Sequence, residues 1–215
     1  MRVRWLWIAG AACFCAARPT DANVVVFEFT GEVTLFDNSD GLWNGHPFAG
    51  AMVGDSFALQ YGFESTTDDT NGNVQVGSYP ALVSMRVTVG STQFDYDSFS
   101  FNVFFVFNDV GAGDLYQAEA HGTDAGNNFL NTFLQLTDTN GTTFSSDALP
   151  TSLMLSDFES RFAELSPGNN SAVAGGSPDF LRASINNFSI VPVPGAVVLA
   201  LIGLPMAAWL RRRIS

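Results

Sequence analysis

Val-Ser-Met-Arg-Val-Thr-Val-Gly-Ser-Thr-Gln-Phe-Asp-Tyr, residues 83–96, is the stretch of this sequence that decides the fold. Apolar and polar side chains alternate from Val83 to Val89, as in a β-strand with one buried face and one solvated face. Gly90-Ser91 is a turn signal, and apolar residues return at strand spacing with Phe94. The stretch therefore predicts two antiparallel strands that place one face in a core.

The same alternation recurs through the chain, and turn-rich polar loops separate its segments. The alternation predicts strands over residues 27–35, 57–63, 83–89, 94–96, 99–107, 114–121, 130–137 and 181–190. Residues 153–165 fit either a short helix or a strand. The polar loops cover residues 37–45, 66–77, 122–128 and 166–178. About eight to ten short strands with regular turn signals predict an all-β fold, an antiparallel β-sandwich of the jelly-roll type.

The strand over 99–107 differs from the others because both of its faces are apolar. One face consists of Phe99, Phe101, Val103, Phe105 and Phe107, and Phe104 and Val106 share the other. A strand of this kind lies inside a sandwich, under a covering loop, or at a contact with another molecule. The sequence leaves both the core and the binding surface open.

The N-terminal residues have the pattern of a secretory signal peptide. Arg2 and Arg4 precede an apolar stretch over 5–17, and cleavage is expected after Ala17 or after Ala22. A buried first element and a lipoprotein signal at Cys13 are the alternatives. Both cysteines of the chain lie in this segment, so the body has no thiol for a disulfide or a metal site. We therefore predict a signal peptide over 1–22 and a body over 23–190.

Residues 191–215 form a tail of three parts. It begins with Val191-Pro192-Val193-Pro194-Gly195, continues as an apolar run over 196–210, and ends near Arg211, Arg212 and Arg213. As a helix, residues 195–210 would be about 24 Å long, against about 30 Å for a bilayer core. The arginines favour a cytoplasmic end, which puts the body outside the cytoplasm. The tail thus predicts a short transmembrane helix; an apolar element of the core is the alternative.

This tail resembles the sorting tail of PEP-CTERM proteins, which are exported proteins of Gram-negative bacteria. Their usual motif is Pro-Glu-Pro, and Pro192-Val193-Pro194 is similar to the Val-Pro-x-Pro variants of the group. The body also resembles a recurrent PEP-CTERM ectodomain, in Phe29-Thr30-Gly31-Glu32-Val33 and Gly77-Ser78-Tyr79-Pro80. The resemblance implies an exosortase-type sorting protease as a partner. Together with the two targeting ends, the β-sandwich body and the lack of a catalytic constellation, it leads us to expect a non-enzymatic exported protein. This protein would lie at the inner membrane with a periplasmic body, or at the cell surface in a biofilm or exopolysaccharide matrix after processing.

The charge of the body excludes one class of partner. All twenty-one acidic residues, but only Arg86, Arg161 and Arg182 among the basic ones, lie between residues 21 and 190. The chain has no lysine, and the formal charge of residues 21–190 is −18. Such a body is repelled by nucleic acid and by anionic lipid. We expect no nucleic-acid partner.

Two loops and one aromatic residue are candidates for ligand binding. Asp37 and Asp40, and in a second loop Asp68, Asp69 and Asn71, offer the oxygen ligands that Ca²⁺ prefers. The same residue types also build ordinary turns. Trp43 lies in a Gly-Leu-Trp-Asn-Gly loop, where its ring could stack on a sugar or cover the core. These features support an alternative function, a carbohydrate-binding module of the matrix that depends on calcium.

Catalytic signals are weak. Glycoside hydrolysis needs two facing carboxyl groups, for which Glu28 with Glu32, or Asp95 with Asp97, are the candidates. His46 and His121 stand outside any Gly-x-Ser-x-Gly or His-Glu-x-x-His motif. We predict that the protein is not an enzyme and needs no cofactor other than the Ca²⁺ of the alternative function.

Overall fold

The computed structural model describes residues 24–111, 113–168 and 179–192. Within these residues the chain forms ten β-strands and one 3₁₀ turn, Leu155–Asp157. The strands are β1 (Val24–Phe36), β2 (Ser56–Glu64), β3 (Val76–Tyr79), β4 (Leu82–Val89), β5 (Thr92–Asp95), β6 (Ser98–Phe107), β7 (Asp114–Thr123), β8 (Phe129–Asp138), β9 (Ser160–Pro167) and β10 (Leu181–Ile190). No helix among the described residues has the length and apolar character needed to cross a membrane.

All ten strands join in one antiparallel sheet, in the order β3-β6-β7-β8-β9-β10-β1-β2-β4-β5. The all-β, antiparallel part of the prediction is thus confirmed. The division into the two sheets of a sandwich is not confirmed, because continuous hydrogen bonding links β9 to β10 and β10 to β1.

The sheet curls so that its two halves share one core. The hydroxyls of Tyr61 on β2 and Tyr116 on β7 are 2.8 Å apart, and both residues are fully buried. The rings of Phe63 on β2 and Phe104 on β6 lie 5.3 Å apart. Since β2 and β7 are far apart in the strand order, these contacts show that the inner faces of the two halves meet.

Most apolar residues of the alternating pattern form this core, as the sequence predicts, whereas Leu35 and Val83, which lie beside register shifts, are exposed. Phe27 and Phe29 of β1 are fully buried, and their neighbour Glu28 points to the other face. The stretch over 83–96 forms β4 and β5, with Met85, Val87 and Phe94 inside. Apolar burial on one face of each strand is the main favourable term that holds the sheet closed on itself.

Residues 153–165, for which the sequence left a short helix or a strand open, form two elements. The 3₁₀ turn Leu155–Asp157 comes first, and β9 follows it. Strand β3 was not predicted, and its first two residues, Val76 and Gly77, fall inside the range assigned to the polar loop over 66–77, which is therefore two residues too long. It is one of two edge strands, the other being β5, and each contains four residues. The free side of β3 is bonded to its own loop: the Ser78 N–H donates to Asp69 Oδ1 at 2.7 Å, and the Ser78 carbonyl accepts from the Thr70 N–H at 2.9 Å.

Both ends of the described body lie side by side. Strand β1 begins at Val24 and its antiparallel neighbour β10 ends at Ile190. The pairing continues past the strand, where the Val191 N–H donates to the Val26 carbonyl at 2.9 Å. The segments before β1 and after β10 therefore leave from the same end of the sheet.

Candidate functional site

The predicted sorting motif begins where this pairing ends. Val191 is half-buried beside β1, and Pro192 is exposed. Val193, Pro194, Gly195, the apolar run, Arg211, Arg212 and Arg213 lie outside the described residues, as does the predicted signal peptide. The structure therefore gives the motif a start at the surface, next to the first strand.

Trp43 covers the core, which is the alternative that the sequence left open, and the sugar-stacking role is not supported. Its side chain is fully buried, and the indole N–H donates to the Asp37 carbonyl at 3.0 Å. The rings of Phe36 and His46 pack against it at 5.8 and 5.0 Å. No face of the indole is left for a sugar in this conformation.

The first acidic loop uses its oxygens for turn bonds. Asp37 Oδ1 accepts from the Ser39 N–H at 2.9 Å, and Asn38 Oδ1 accepts from the Trp43 N–H at 3.2 Å. The Asp40 N–H donates to the buried carboxylate of Asp179 at 2.8 Å. These bonds fix the loop that carries Trp43 into the core.

The second acidic loop uses its oxygens in the same way. Asp69 Oδ1 accepts from the N–H groups of Asn71 and Ser78, and Asn71 Oδ1 accepts from the Asn73 N–H. The two loops follow β1 and β2, which run antiparallel, so the loops lie at opposite ends of that strand pair. In the described part of the chain no three His, Cys, Asp or Glu side chains meet as a metal site. Calcium binding by Asp37, Asp40, Asp68, Asp69 and Asn71 stays a prediction.

Of the two carboxylate pairs considered for hydrolysis, one is widely spaced along its strand, and the other has a member that neighbouring side chains already bind. Glu28 and Glu32 are four residues apart on β1, or about 13 Å along an extended strand, whereas the reaction needs about 5–10 Å between carboxyl groups. Asp95 is bound by the side chains of Arg86 and Gln93. The spacing along β1 thus disfavours Glu28 with Glu32, and the bonds of Asp95 disfavour Asp95 with Asp97.

The two histidines occupy different settings. His46 Nδ1 accepts from the Phe48 N–H at 3.2 Å, and its ring stacks 5.7 Å from that of Phe94. Burial lowers the pKa of His46 to about 4, although the Asp124 carboxylate opposes this shift. His121 Nε2 lies 2.7 Å from Glu119 on the outer face of β7. His46 is thus a neutral packing residue, and His121 belongs to a surface pair.

A polar groove crosses the outer face of β10, β1, β2, β4 and β5. Cross-strand pairing aligns one residue from each strand in a floor row, with small side chains at its centre. The floor row is Asn187, Thr30, Ala58, Thr88 and Gln93. The next row toward the chain ends carries longer side chains and forms a rim. This rim row is Ser189, Glu28, Gln60, Arg86 and Asp95.

Two depressions mark this groove. One of about 300 Å³ lies between β10, β1 and β2, where Glu32 and Ser56 form the second rim. The other, of about 210 Å³, lies between β1, β2, β4 and β5. Ala58 and Thr88 line both depressions, so these form one continuous feature. The short side chains of Thr30, Ala58 and Thr88, next to the longer side chains of the rim row, lower the floor.

A backbone irregularity widens the groove at β10. The register between β1 and β10 shifts next to Gly31, and Asn186 is the extra residue on β10. A side chain at Gly31 would meet the Ser184 carbonyl, since a Cβ there would lie only 1.7 Å from that oxygen. The bulge turns both Asn186 and Asn187 to the outer face, where both are exposed.

A second outer surface is aromatic. Phe101, Phe105 and Phe107 of β6 face outward, and Phe101 is 43% exposed. Phe104 and Val106 of the same strand are buried in the core. The double apolar pattern of 99–107 therefore has one face in the core and one at the surface. The core expectation is confirmed for Phe104 and Val106, and a binding role of the outer face stays a prediction.

Sequence reasoning identified outward polar residues but not the groove. Alternation places Thr30, Gln60 and Thr88 on the solvated face of their strands. The pairings that align them in rows join strands about thirty residues apart in sequence, and the bulge at Asn186 depends on a partner strand more than one hundred residues away. A glycine within a strand pattern, Gly31 of β1, is a signal for an irregular strand, and it lies beside the bulge at Asn186.

No protein-family model, curated protein or solved structure matches this chain, so the fold and its grooves stand as the basis for its function.

Proposed function

We propose that this chain is an exported, non-enzymatic protein of the cell surface or the extracellular matrix, associated with exopolysaccharide and sorted through its C-terminal tail in the manner of PEP-CTERM proteins. The observation that carries the proposal is the contact between Val191 and Val26. It supports a body whose leader and tail leave from one end. In a membrane-bound precursor, the leader and the tail would then both connect to the membrane from this one end, and the whole sheet would lie on one side of it.

The proposed partners follow from this arrangement. The apolar run over 196–210 inserts in the inner membrane, with Arg211, Arg212 and Arg213 on the cytoplasmic side. An exosortase-type protease acts at Val191-Pro192-Val193-Pro194-Gly195, beside the exposed Pro192. The body is periplasmic before this step and lies at the cell surface after it. For the body itself we propose a jelly-roll-like sandwich, made of the two facing halves of the curled sheet.

Expression in the native host with a C-terminal epitope tag tests the proposal. We expect the tag to disappear from the mature body, which is recovered outside the cytoplasm. Replacement of both Pro192 and Pro194 by alanine should retain the tag on a membrane-bound precursor, while Pro150→Ala, in a loop of the body, should leave processing unchanged. Full-length tagged protein in the cytoplasm would refute the proposal.

A second candidate function, that of a carbohydrate-binding module, is favoured by the polar groove. Calcium dependence is tested with a glycan array probed in the presence of Ca²⁺ or of EDTA. Signals that vanish with EDTA support the two acidic loops as calcium sites. Signals that persist in EDTA would mean that carbohydrate binding needs no metal ion. An array without signals in either condition would exclude this second function.

A further inference from the structure

We propose that the polar groove binds an uncharged polysaccharide, with several consecutive sugars laid across β10, β1, β2, β4 and β5. This inference rests on the second function proposed above and names its site and its ligand class. None of the residues that the sequence suggested for ligand binding belongs to this groove.

The extent of the groove fits a chain rather than a single sugar. Its floor row crosses five neighbouring strands, from Asn187 on β10 to Gln93 on β5. Strands are spaced by about 4.8 Å, so the row is about 19 Å long. Both ends of the row lie at the protein surface, where Asn187 and Gln93 are exposed. A polymer can therefore enter and leave without a chain end.

The side chains of the groove have unused hydrogen-bonding capacity. Among the described residues, none bonds to the side-chain amides of Gln60, Asn186 or Asn187, nor to the hydroxyls of Thr30 or Thr88. Amides and hydroxyls both donate and accept hydrogen bonds. Sugar hydroxyls do the same, so each group can pair with either role of a ligand hydroxyl. A purely anionic or purely cationic ligand would use only half of this capacity.

The charge of the groove selects against acidic glycans. Glu28 and Glu32 stand on opposite rims, and Ser189 Oγ is the one described donor near Glu28, at 3.4 Å. The single cation, Arg86, is paired with Asp95 in the described structure. A uronic acid or sulfate in the groove would face two carboxylates without a free cation, inside a body of strongly negative charge. An uncharged sugar avoids this repulsion.

The floor supplies the space that sugar rings need. Ala58 lies between Thr30 and Thr88 in the floor row, and it pairs with both. The Ala58 methyl group and the two threonine methyl groups give the centre of the floor an apolar strip. Pyranose rings carry C–H groups on their faces, so the strip can contact a ring while the rims bond its hydroxyls. Filling this centre should therefore block the groove without disturbing the core.

Binding by the purified full-length chain in mild detergent tests the inference. The probes are maltohexaose, cellohexaose and mannohexaose as uncharged ligands, and a hexamer of galacturonic acid as an anionic ligand of equal length. Affinity is measured by calorimetry. Gln60→Ala removes one rim amide, and Ala58→Leu fills the floor. Gln117→Ala is the matched control, because Gln117 is a half-buried glutamine on the outer face of β7, away from the groove.

We expect at least one uncharged hexamer to bind and the anionic hexamer not to bind. Gln60→Ala should weaken binding about threefold to tenfold, as expected for one lost hydrogen bond. Ala58→Leu should weaken it at least as much, while Gln117→Ala leaves it unchanged. Equal melting temperatures of the variants would show that each is folded.

Three results would overturn the inference. Absence of binding to all uncharged hexamers removes the ligand class, and binding of the galacturonate hexamer alone reverses the charge argument. An equal loss of affinity in Gln117→Ala and Gln60→Ala removes the groove as the site. None of these results bears on export, which the tagged protein in the native host tests separately.

Discussion

Replacing Tyr61 or Tyr116 with phenylalanine tests whether the two halves of the sheet meet in the core. The two hydroxyls are 2.8 Å apart and bonded to each other, and both residues are fully buried. Burial also raises the pKa of both phenols, so neither ionises near its ordinary value. Each hydroxyl is therefore the neutral partner of the other.

The expected magnitude follows from what each substitution leaves behind. A single Tyr→Phe change strands the other hydroxyl in an apolar core, which costs about 1–3 kcal/mol of unfolding free energy. The double variant Tyr61→Phe with Tyr116→Phe removes both hydroxyls and leaves no orphan, so its loss should be smaller than the sum of the two single losses. A difference of about 1 kcal/mol corresponds to about 2–4 °C in melting temperature for a domain of this size.

Thermal unfolding of the four proteins, followed by near-ultraviolet circular dichroism, measures this coupling. The wild type, the two single variants and the double variant form a complete double-mutant cycle. Losses that simply add, with a coupling energy near zero, would refute the bond between the hydroxyls. They would also mean that a hydrogen bond between these two hydroxyls does not help to hold β2 and β7 together.

Three further predictions concern stability. Gly31→Ala should lower the unfolding free energy by about 1–3 kcal/mol in chemical denaturation, because its Cβ would meet the Ser184 carbonyl. The control is Gly50→Ala, which has open space at Cβ. Equal losses of unfolding free energy in the two variants would contradict the bulge geometry. Trp43→Ala should cost about 3–5 kcal/mol in the same assay, as for a buried aromatic residue, and a loss below 1 kcal/mol would contradict its burial. The unfolded chain takes up a proton at His46 near pH 6.5 and the folded chain only near 4, so stability should fall between these pH values as the pH is lowered. His46→Gln should flatten that part of a melting-temperature profile, and an unchanged slope would refute the assignment.

The strands were predictable because local chemistry determines them. In β2 and β4 the apolar residues that alternate with polar ones are buried, as Leu59 and Val87 illustrate, except Val83, which is exposed beside the register shift between the two strands. Strand β3 was missed since four residues next to an Asn- and Gly-rich loop give too short a pattern for alternation to show. Its strand character comes from pairing with β6, which lies about thirty residues further along the chain.

The order of the strands and the position of the groove could not be predicted from local patterns. Strand β1 pairs with β10, and only this pairing joins the two halves into one sheet. The same pairing aligns Thr30 with Asn187 and creates the bulge at Asn186. For Trp43 the sequence left two alternatives, and the hydrogen bond of its indole to the Asp37 carbonyl decides between them. Site residues are thus predictable as outward or inward, but their grouping depends on contacts between distant segments.

The short edge strands of the sheet affect how closely spaced copies of this protein can interact. At the proposed cell surface many copies of this protein would stand close together, and an open sheet edge is a template on which another chain can add a strand. Edge β5 offers four residues, and on edge β3 the N–H and carbonyl of Ser78 are already held by Asp69 and Thr70. A neighbouring copy would have to break those bonds to gain very few of its own. The two edges therefore disfavour strand addition between copies of this chain.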